Sequence, residues 1–528
     1  HAAAEADRLG LEMSLFSSAG WSETGGPWVK PAAAMKKLVG SETDVQGPKD
    51  FDQKLAQPPW MNGTFGSLKG QGNAPYSPEA AKEWVENSMN RGGRGGFGGA
   101  GGAVRVPPTT PYYGDSAVIA YRTPEDETTM QELDPKVTSS GWVTRPSYGR
   151  GGFGARGGAG PAPAAAPAGA PEAVDTSVLM DDKINTSLTA AAPENGDAWI
   201  QYELAKPITA RAVTLIAPGR GVPYGSIQVS DDGKTFRTIV ELPGAEQYRA
   251  GTIKTYAFPA TTTKYIRVVM TAAAGQPAEV INQTEPQSDG SLQLAEFIVH
   301  TGARVDLWEE KAGFNFIYDY DKARTPAVPA AAAIQPSNVI DLTSKMDKDG
   351  TLHWDVPAGH WTILRMGYSL TGSQNRPSTP AGQGPEVDKL NAKYVQDYFH
   401  GYFDPLQKAL GPLMGKSLRN VMMDSFEGGM QNWTDDMIAQ FKKRRGYDPT
   451  PFLPVLAGRV VGNADESDRF LWDFRRTIGD LLADAHYGTM DKMAHERGMT
   501  ISAEAAGVSM EIMEDTLLNK SKVDIPMR

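Results

Sequence analysis

Stretches with helical periodicity alternate with short apolar runs in three parts of the chain. In each part the helical stretch stops at a glycine, an apolar run follows, and polar residues come next. The three parts are Ala2–Ser17, Asp388–Met423 and Ser467–Ala503. Helix-to-strand units in this order are typical of a parallel sheet covered by helices. The pattern predicts an α/β fold, and acids at the strand ends favour a partial, interrupted (β/α)8-type barrel over an open doubly wound sheet.

A different pattern fills the middle of the chain, where strand-like alternation replaces the helical period. The strands predicted there are Trp199–Leu204, Ala212–Ile216, Ser226–Val229, Thr252–Phe258 and Tyr265–Met270. Turn signals such as Asp231-Asp232-Gly233 separate them, as in an antiparallel β-sandwich. Outside this region we predict a strand at Ser116–Tyr121, an irregular stretch at Asp44–Phe65, and a hairpin-like pair followed by a strand within Leu352–Leu370.

Two glycine-rich tracts, Arg91–Gly102 and Tyr148–Pro171, interrupt these patterns. Low-complexity composition of this kind is typical of flexible or polyproline-like insertions. We therefore expect barrel parts at 1–147 and 302–528, a linker at 148–174, and an inserted sandwich at 175–301. RGG tripeptides also bind RNA, but the tracts hold four arginines and the net charge is −11. That charge argues against nucleic acid as a partner.

Composition narrows the classes further. The 528 residues include no cysteine, which excludes disulfides and cysteine-ligated zinc. No run of about 18 apolar residues is present, so no membrane-spanning helix is expected. The chain opens at His1 within what reads as the second half of a helix, so we expect an internal piece of a longer protein.

The stretch Ser417–Gly446 carries the clearest chemical signal. Leu418–Met423 predicts one buried strand, and two acids, Asp424 and Glu427, follow it at once. Thr434 is a good N-cap for the helix that should come next and end at Gly446. The acids therefore fall at a strand end, the rim where α/β barrels place their chemistry. The alternative is that both acids only cap a turn or pair with arginine.

Glu504 follows the predicted strand Met499–Ala503 and would face the same rim. Paired carboxylates across a pocket serve glycoside hydrolysis, in which one protonates the leaving oxygen and the other activates water or attacks carbon. Asp424 lies close to Glu427. A like charge nearby raises the pKa of a carboxyl group, as a general acid requires. Glu504 could equally be a rim acid with a structural partner.

Side chains suited to a sugar lie in two loops. Trp21, Glu23 and Trp28 stand in a glycine-rich loop, and Asn432 and Trp433 follow the central acids. Sugars offer hydroxyls and flat C–H faces, so their sites combine acids or amides with aromatic rings. The two tryptophans of the first loop could instead be core residues. Trp21, Glu23, Asn432 and Trp433 are our predicted substrate-binding residues.

A calcium site is a weaker prediction, because carboxylate clusters with loop carbonyls bind Ca²⁺. The candidate ligands are Glu23, Glu386, Asp388 and Asp424, and their spacing matches no loop signature. Of these we select Glu386 and Asp388 as the metal-binding pair. The histidines contain no HExxH motif, and no nucleophile elbow indicates a serine hydrolase.

Two resemblances add to this reading. Residues 175–274 resemble discoidin-like domains, a sandwich family that often binds glycans. The stretches GWSETGGPWVKPAAAMKKLV (20–39), LTGSQNRPSTPAGQGPEVDKL (370–390) and VMMDSFEGGMQNWTDDMIAQFKKRRGYDPTPFLPVLAGRVVG (421–462) are similar to family 106 glycoside hydrolases, the α-L-rhamnosidases.

The second resemblance covers nearly all of the chain outside the glycine-rich tracts. It implies an interrupted barrel with β-sandwich domains, inverting hydrolysis of terminal α-L-rhamnose, and a Ca²⁺ ion at the sugar. It makes Glu427 the general acid, with Asp424 beside it. It places the general base on a later strand, beyond residue 528. Glu504 could then serve as the base only if this placement is wrong.

The resulting expectation is an enzyme that acts on rhamnosylated small molecules or polysaccharides, in the bacterial periplasm or secreted. A β-galactosidase-like barrel hydrolase is the first alternative. A non-catalytic glycan-binding protein working through the sandwich is the second, and RNA binding ranks last.

Overall fold

The computed structural model describes residues 1–16, 20–21, 24–58, 112–143, 174–182, 186–194, 196–217, 224–243, 252–271, 291–314, 317, 320, 323–375, 377–379, 381–507 and 514–527. The strands are β1 (Met13–Phe16), β2 (Lys36–Lys54), β3 (Tyr113–Arg122), β4 (Lys136–Ser139), β5 (Leu188–Ala190), β6 (Ala198–Ala217), β7 (Tyr224–Ser230), β8 (Arg237–Pro243), β9 (Thr252–Met270), β10 (Leu292–Leu294), β11 (Glu296–His300), β12 (Ile340–Asp341), β13 (Thr351–Leu370), β14 (Leu418–Met423), β15 (Thr500–Ala503) and β16 (Ile525–Pro526). The α-helices are α1 (Ala2–Leu9), α2 (Met130–Leu133), α3 (Trp308–Lys311), α4 (Ala392–Leu410), α5 (Met437–Arg445), α6 (Ala464–Leu481), α7 (Gly488–His495) and α8 (Thr516–Lys520).

Four strands form a parallel sheet in the order β1-β14-β15-β16, which is also their order along the chain. Helix α4 leads into β14, and helices α6 and α7 lead into β15. Gly10 ends α1 in the left-handed conformation at φ 66°, a backbone geometry that glycine adopts without a Cβ clash. The three predicted helix-to-strand units are therefore confirmed, and the described strands form an α/β arrangement.

The buried residues around this sheet explain why the units form. Val421 and Met423 of β14, Ile501 of β15, and Val395 and Phe399 of α4 belong to one apolar cluster. Burying apolar side chains between helix and sheet is the main source of stability for such layers. The long helix predicted at Ser467–Arg497 is present as α6 and α7, joined by a wider π-helical turn at Leu482–Tyr487. Among the described residues, no helix is long and apolar enough to cross a bilayer.

A second sheet is antiparallel and joins distant parts of the chain in the order β12-β3-β13-β2. One of its faces packs on the cluster that contains α5 and α6, and the other covers a smaller core with Trp354 and Trp361. This corrects two predictions: the stretch expected to be irregular from Asp44 belongs to β2 up to Lys54, and Leu352–Leu370 lies in one long strand. The predicted strand Ser116–Tyr121 is confirmed within β3, which lies in this antiparallel sheet. From Asp44 onward most side chains of β2 are polar and exposed, and Val45 and Phe51 are the buried apolar ones, so the alternation was too sparse to identify the strand.

The middle region contains a six-stranded antiparallel sheet and the two-stranded sheet β5-β10, which share one core. The predicted β-sandwich is therefore present, with longer strands than expected. The four predicted segments at 199–216 and 252–270 join into β6 and β9, which pair with each other through register shifts near Glu203 and Ala210. Strand β4 at Lys136–Ser139 pairs with β6. The sheet therefore takes a strand from before the predicted boundary at residue 175.

Candidate active site

Two carboxylates start from the same level of the parallel sheet. Met423 of β14 pairs in register with Ala503 of β15, so Asp424 and Glu504 are the first residues beyond a paired position on neighbouring strands. The loops that follow remain joined, because the backbone N–H of Phe426 donates to the carbonyl oxygen of Ala506 at 2.8 Å. The carboxyl ends of β14 and β15 thus hold the two loops side by side.

Glu427 completes the group. The Ser425 hydroxyl donates a hydrogen bond to Glu427 Oε1 at 3.0 Å, and the Ser425 N–H donates to Asp424 Oδ1 at 3.1 Å. Glu427 is an exposed residue whose carboxyl group is partly enclosed by its neighbours. Burial raises the pKa of Glu427, and the negative charges of Asp424 and Glu504 raise it further, while the Ser425 hydrogen bond opposes them. The three predicted catalytic acids are therefore brought together around Glu427.

Ala505, directly after Glu504, has a left-handed backbone with φ 50° and is fully buried. Such a conformation is unfavourable for a residue with a Cβ and persists only where the surroundings enforce it. Here the Phe426–Ala506 hydrogen bond holds the chain on the other side of Ala505. The strained residue therefore fixes the path of the backbone next to the Glu504 carboxylate.

Trp21 lies next to the carboxyl end of β1. Its ring contacts Phe16, the last residue of β1, edge to face with 6.4 Å between ring centroids, and it is half-buried. Phe16 pairs with Met422 of β14, so Trp21 stands beside the strand that leads to the acids. Glu23, the acid predicted in the same loop, lies outside the described residues. Trp28 is 59% exposed, which excludes the alternative that it is a core residue.

Asn432 and Trp433, predicted to contact the sugar, are core residues instead. The Asn432 side chain is fully buried, accepts a hydrogen bond from the Leu38 N–H at 2.9 Å and donates one to the Ala312 carbonyl oxygen at 3.0 Å. Trp433 is 1% exposed and packs against Phe474. Both side chains connect the loop after β14 to other elements. Their polarity and aromaticity suggested a pocket, but tertiary contacts use both groups internally.

Glu386 and Asp388, the predicted metal ligands, each face a buried lysine. Lys389 Nζ lies 2.6 Å from Glu386 Oε2, and Lys36 Nζ lies 3.0 Å from Asp388 Oδ2, with all four side chains fully buried. The ammonium groups of Lys36 and Lys389 supply the positive charge for which the sequence analysis predicted a calcium ion. Lys36 and Lys389 were missed, although a lysine three residues after a glutamate is a recognisable pairing signal.

The two carboxylates differ in what remains open to a further ligand. Both Asp388 oxygens are engaged, Oδ1 by the Gln431 amide at 2.5 Å and Oδ2 by the Thr434 hydroxyl at 2.8 Å in addition to Lys36. Of the four carboxylate oxygens of this pair, Glu386 Oε1 alone is buried without a hydrogen-bond partner. The pair therefore does not fit a calcium site, and the Ca²⁺ implied by family resemblance remains an untested prediction. The Thr434 hydroxyl, predicted to cap the following helix, instead donates its hydrogen bond to Asp388. Helix α5 has no side-chain cap at its N-terminus.

A group of possible metal ligands that sequence reasoning missed lies elsewhere on the sheet. Asp491 and His495 of α7 and Asp524, just before β16, bring one ligand atom each within 4.8 Å of one another. His495 Nε2 is 3.0 Å from Asp524 and 3.4 Å from Asp491, so ion pairing accounts for the contacts. The i, i+4 spacing of Asp491 and His495 was the available signal. Asp524 directly precedes β16 and accepts a hydrogen bond from the Ile501 N–H at 2.9 Å, so this group lies beside β15, ahead of the strand end that leads to Glu504.

The fold and the acids together define the class of protein. It is an α/β protein with carboxylates at the ends of adjacent parallel strands, an arrangement that suits glycoside hydrolysis. The family model of glycoside hydrolase family 106, described as alpha-L-rhamnosidase, matches residues 1–89 and 99–528. The chain belongs to this family. The unmatched residues, 90–98, fall at the first glycine-rich tract.

Two relatives with different names match the chain over different shares of its length. The structure of a rhamnosidase from Novosphingobium sp. PP1Y is 33% identical with a TM-score of 0.75, and the match covers 99% of this chain and 42% of that one. A putative beta-glucuronidase from Formosa agariphila is 42% identical over 180 residues, 34% of this chain and 16% of that protein. The chain thus spans less than half the length of either relative.

Proposed function

We propose that this chain carries the proton-donating part of an α-L-rhamnosidase active site, which removes terminal α-L-rhamnose from glycosides or polysaccharides. One observation carries the proposal: Glu427 stands beside Asp424 and Glu504 at the ends of paired parallel strands, with a raised pKa. A raised pKa lets a carboxyl group hold its proton to a higher pH, from where it can donate the proton to the leaving oxygen of a glycosidic bond. Membership of family 106 supports rhamnose as the sugar.

In the proposed reaction, Glu427 donates its proton to the glycosidic oxygen as the bond to the anomeric carbon breaks. The negative charges of Asp424 and Glu504 make loss of that proton unfavourable beforehand. An inverting mechanism also needs a carboxylate that activates water on the opposite face of the sugar. Glu504 is the candidate within this chain. The family resemblance places the base on a later strand, and the two positions can be separated by experiment.

The four parallel strands support a (β/α)8-type barrel as the scaffold. Their spatial order follows their order in the chain, and neighbours are parallel, as in a singly wound barrel. A doubly wound sheet would reverse the order at a switch point. In this proposal, the antiparallel sheet and the β-sandwich are insertions between the first and second of these strands. Secretion or a periplasmic location would suit an enzyme of extracellular glycans.

The test is Glu427→Gln in the intact protein, assayed on rhamnosides with good and poor leaving groups. Removing a general acid should slow a poor leaving group, such as methanol, by roughly 10²–10⁴-fold. A nitrophenyl leaving group needs less protonation and should lose much less. Equal losses on both substrates, or activity like that of the wild type, would contradict the role of Glu427. Glu504→Gln is the matched comparison, because loss of a base slows both substrates alike.

The sugar itself needs a separate assay. The Formosa agariphila relative is a putative beta-glucuronidase, which supports a glucuronide as a second candidate substrate. A β-galactoside is the alternative substrate that the sequence analysis allows. Hydrolysis of nitrophenyl rhamnoside but not of the glucuronide or galactoside would support the proposal. Glycan binding by the intact protein without turnover of any of these substrates would instead favour a binding protein.

A further inference from the structure

We propose that the cavity between residues 28–33 and helix α4 is a second carbohydrate-binding site, which holds the sugar rings next to the terminal rhamnose of an oligosaccharide. The inference rests on the proposed function, because it assigns the cavity to the same substrate. It predicts a preference for rhamnosylated oligosaccharides over simple rhamnosides.

The cavity has a volume of about 720 Å³, and its mainly apolar lining includes four aromatic side chains. Tyr394, Tyr398 and Tyr402 are four residues apart on α4 and therefore lie along one side of the helix. Trp28 faces them from the loop and is 59% exposed. Pockets of about 300–1,000 Å³ enclose ligands of several rings, and a disaccharide is of this size.

Hydrogen bonds fix the three tyrosine rings from behind. The Tyr398 hydroxyl donates to the Gly25 carbonyl oxygen at 3.3 Å, and the Tyr402 hydroxyl donates to the Phe16 carbonyl oxygen at 3.1 Å. The Tyr394 hydroxyl donates to Asp435 at 2.5 Å. Rings anchored in this way lose little conformational entropy when a ligand packs on them. They offer flat apolar surfaces, which suit the C–H faces of pyranose rings.

Charged groups in the cavity wall favour a sugar over a purely apolar ring. Lys30 and Asp397 both line the cavity, and Asp397 also pairs with Lys393 at 2.5 Å. A lysine donates and a carboxylate accepts hydrogen bonds, so the pair matches hydroxyl groups, which do both. An unsubstituted aromatic ring would cover these charges without giving them a partner, at a desolvation cost.

The cavity lies next to the strand that adjoins the acids. Tyr402 bonds to Phe16 at the end of β1, and Phe16 pairs with Met422, two residues before Asp424. Neighbouring strands are about 4.8 Å apart. A glycan whose terminal rhamnose reaches Glu427 can therefore extend its next rings toward Trp28.

Trp28→Ala in the intact protein tests the inference, with methyl α-L-rhamnoside, nitrophenyl α-L-rhamnoside and rhamnosyl di- and trisaccharides as substrates. We expect KM for the trisaccharide to rise about tenfold, a loss of about 1.4 kcal/mol in binding, while kcat and the kinetics of the methyl rhamnoside stay unchanged. Trp472→Ala is the control, because Trp472 is 56% exposed and lies outside the cavity. It should leave all substrates unaffected.

Three results would overturn the inference: an unchanged KM for the trisaccharide, an equal rise for the methyl rhamnoside, or a rise confined to nitrophenyl rhamnoside, which would mark a site for aromatic leaving groups. Calorimetric titration with the trisaccharide separates this inference from the proposed function. If the wild-type protein binds it without hydrolysis and Trp28→Ala does not, the cavity stands and the catalytic proposal fails. If both bind it equally, the cavity inference fails alone.

Discussion

The Ser425 hydroxyl donates to Oε1 of Glu427 at 3.0 Å, and this single bond opposes the other influences on the Glu427 carboxyl group. A hydrogen bond to a carboxylate favours its charged form and lowers its pKa. Burial and the charges of Asp424 and Glu504 act in the other direction. The protonation of the proposed general acid therefore depends on a balance between its immediate neighbours, and each neighbour can be removed separately.

Asp424→Asn and Ser425→Ala should move the pH profile in opposite directions. A general acid works only while it is protonated, so kcat/KM falls as the pH rises through its pKa. Removing the charge of Asp424 lowers the pKa of Glu427 and shifts this alkaline limb to lower pH. Removing the Ser425 hydroxyl raises the pKa and shifts the limb to higher pH. The measurement is kcat/KM against pH for both variants and the wild type.

Shifts in the same direction, or none in either variant, would show that another group controls the alkaline limb. Glu427→Gln provides the control, because its residual activity should have no alkaline limb from this carboxyl group. Circular dichroism at each pH keeps unfolding separate from titration.

Asp388→Asn should destabilise the protein by at most roughly 3–5 kcal/mol, because the buried Lys36 ammonium loses its nearer carboxylate and keeps only Asp435, 3.4 Å away, as a charged partner. The measurement is the free energy of unfolding in urea, with and without added Ca²⁺. Asp397→Asn, which breaks the exposed pair with Lys393, is the control and should change stability little. A metal-ligand role for Asp388 predicts the opposite pattern, in which calcium stabilises the wild type strongly and the Asn variant hardly at all.

Asn432→Ala should reduce stability without changing substrate affinity. The substitution leaves the Leu38 N–H and the Ala312 carbonyl group without their buried partner, at a cost of roughly 1–3 kcal/mol. Thermal denaturation measures the loss, and KM for a rhamnoside on the folded protein should match that of the wild type. A raised KM at unchanged thermal stability would return Asn432 to the sugar pocket.

Local patterns predicted the elements that local physics controls. The apolar run Leu418–Met423 is a strand at the predicted residues, and Gly446 ends the helix that follows it. Asp424 and Glu427 could also be identified from the sequence, because a strand end and the loop after it are adjacent in the chain. The long strands β2 and β13 were missed or divided, since the exposed residues of each are concentrated in one part of the strand and their pairing joins residues about 300 positions apart.

The sequence alone determined the family, the α/β and β-sandwich character, and the acids that stand nearest the proposed chemistry, because each depends on residues close together in the chain. Only the tertiary structure decided which polar side chains remain available to a ligand. Asn432, Trp433 and Asp388 read as site residues, yet residues far away in the sequence bury all three and supply polar partners to Asn432 and Asp388. Exposure and partnership are properties of the packed chain, so Trp28 and Asn432, both in plausible sugar-binding loops, could be separated only by the fold.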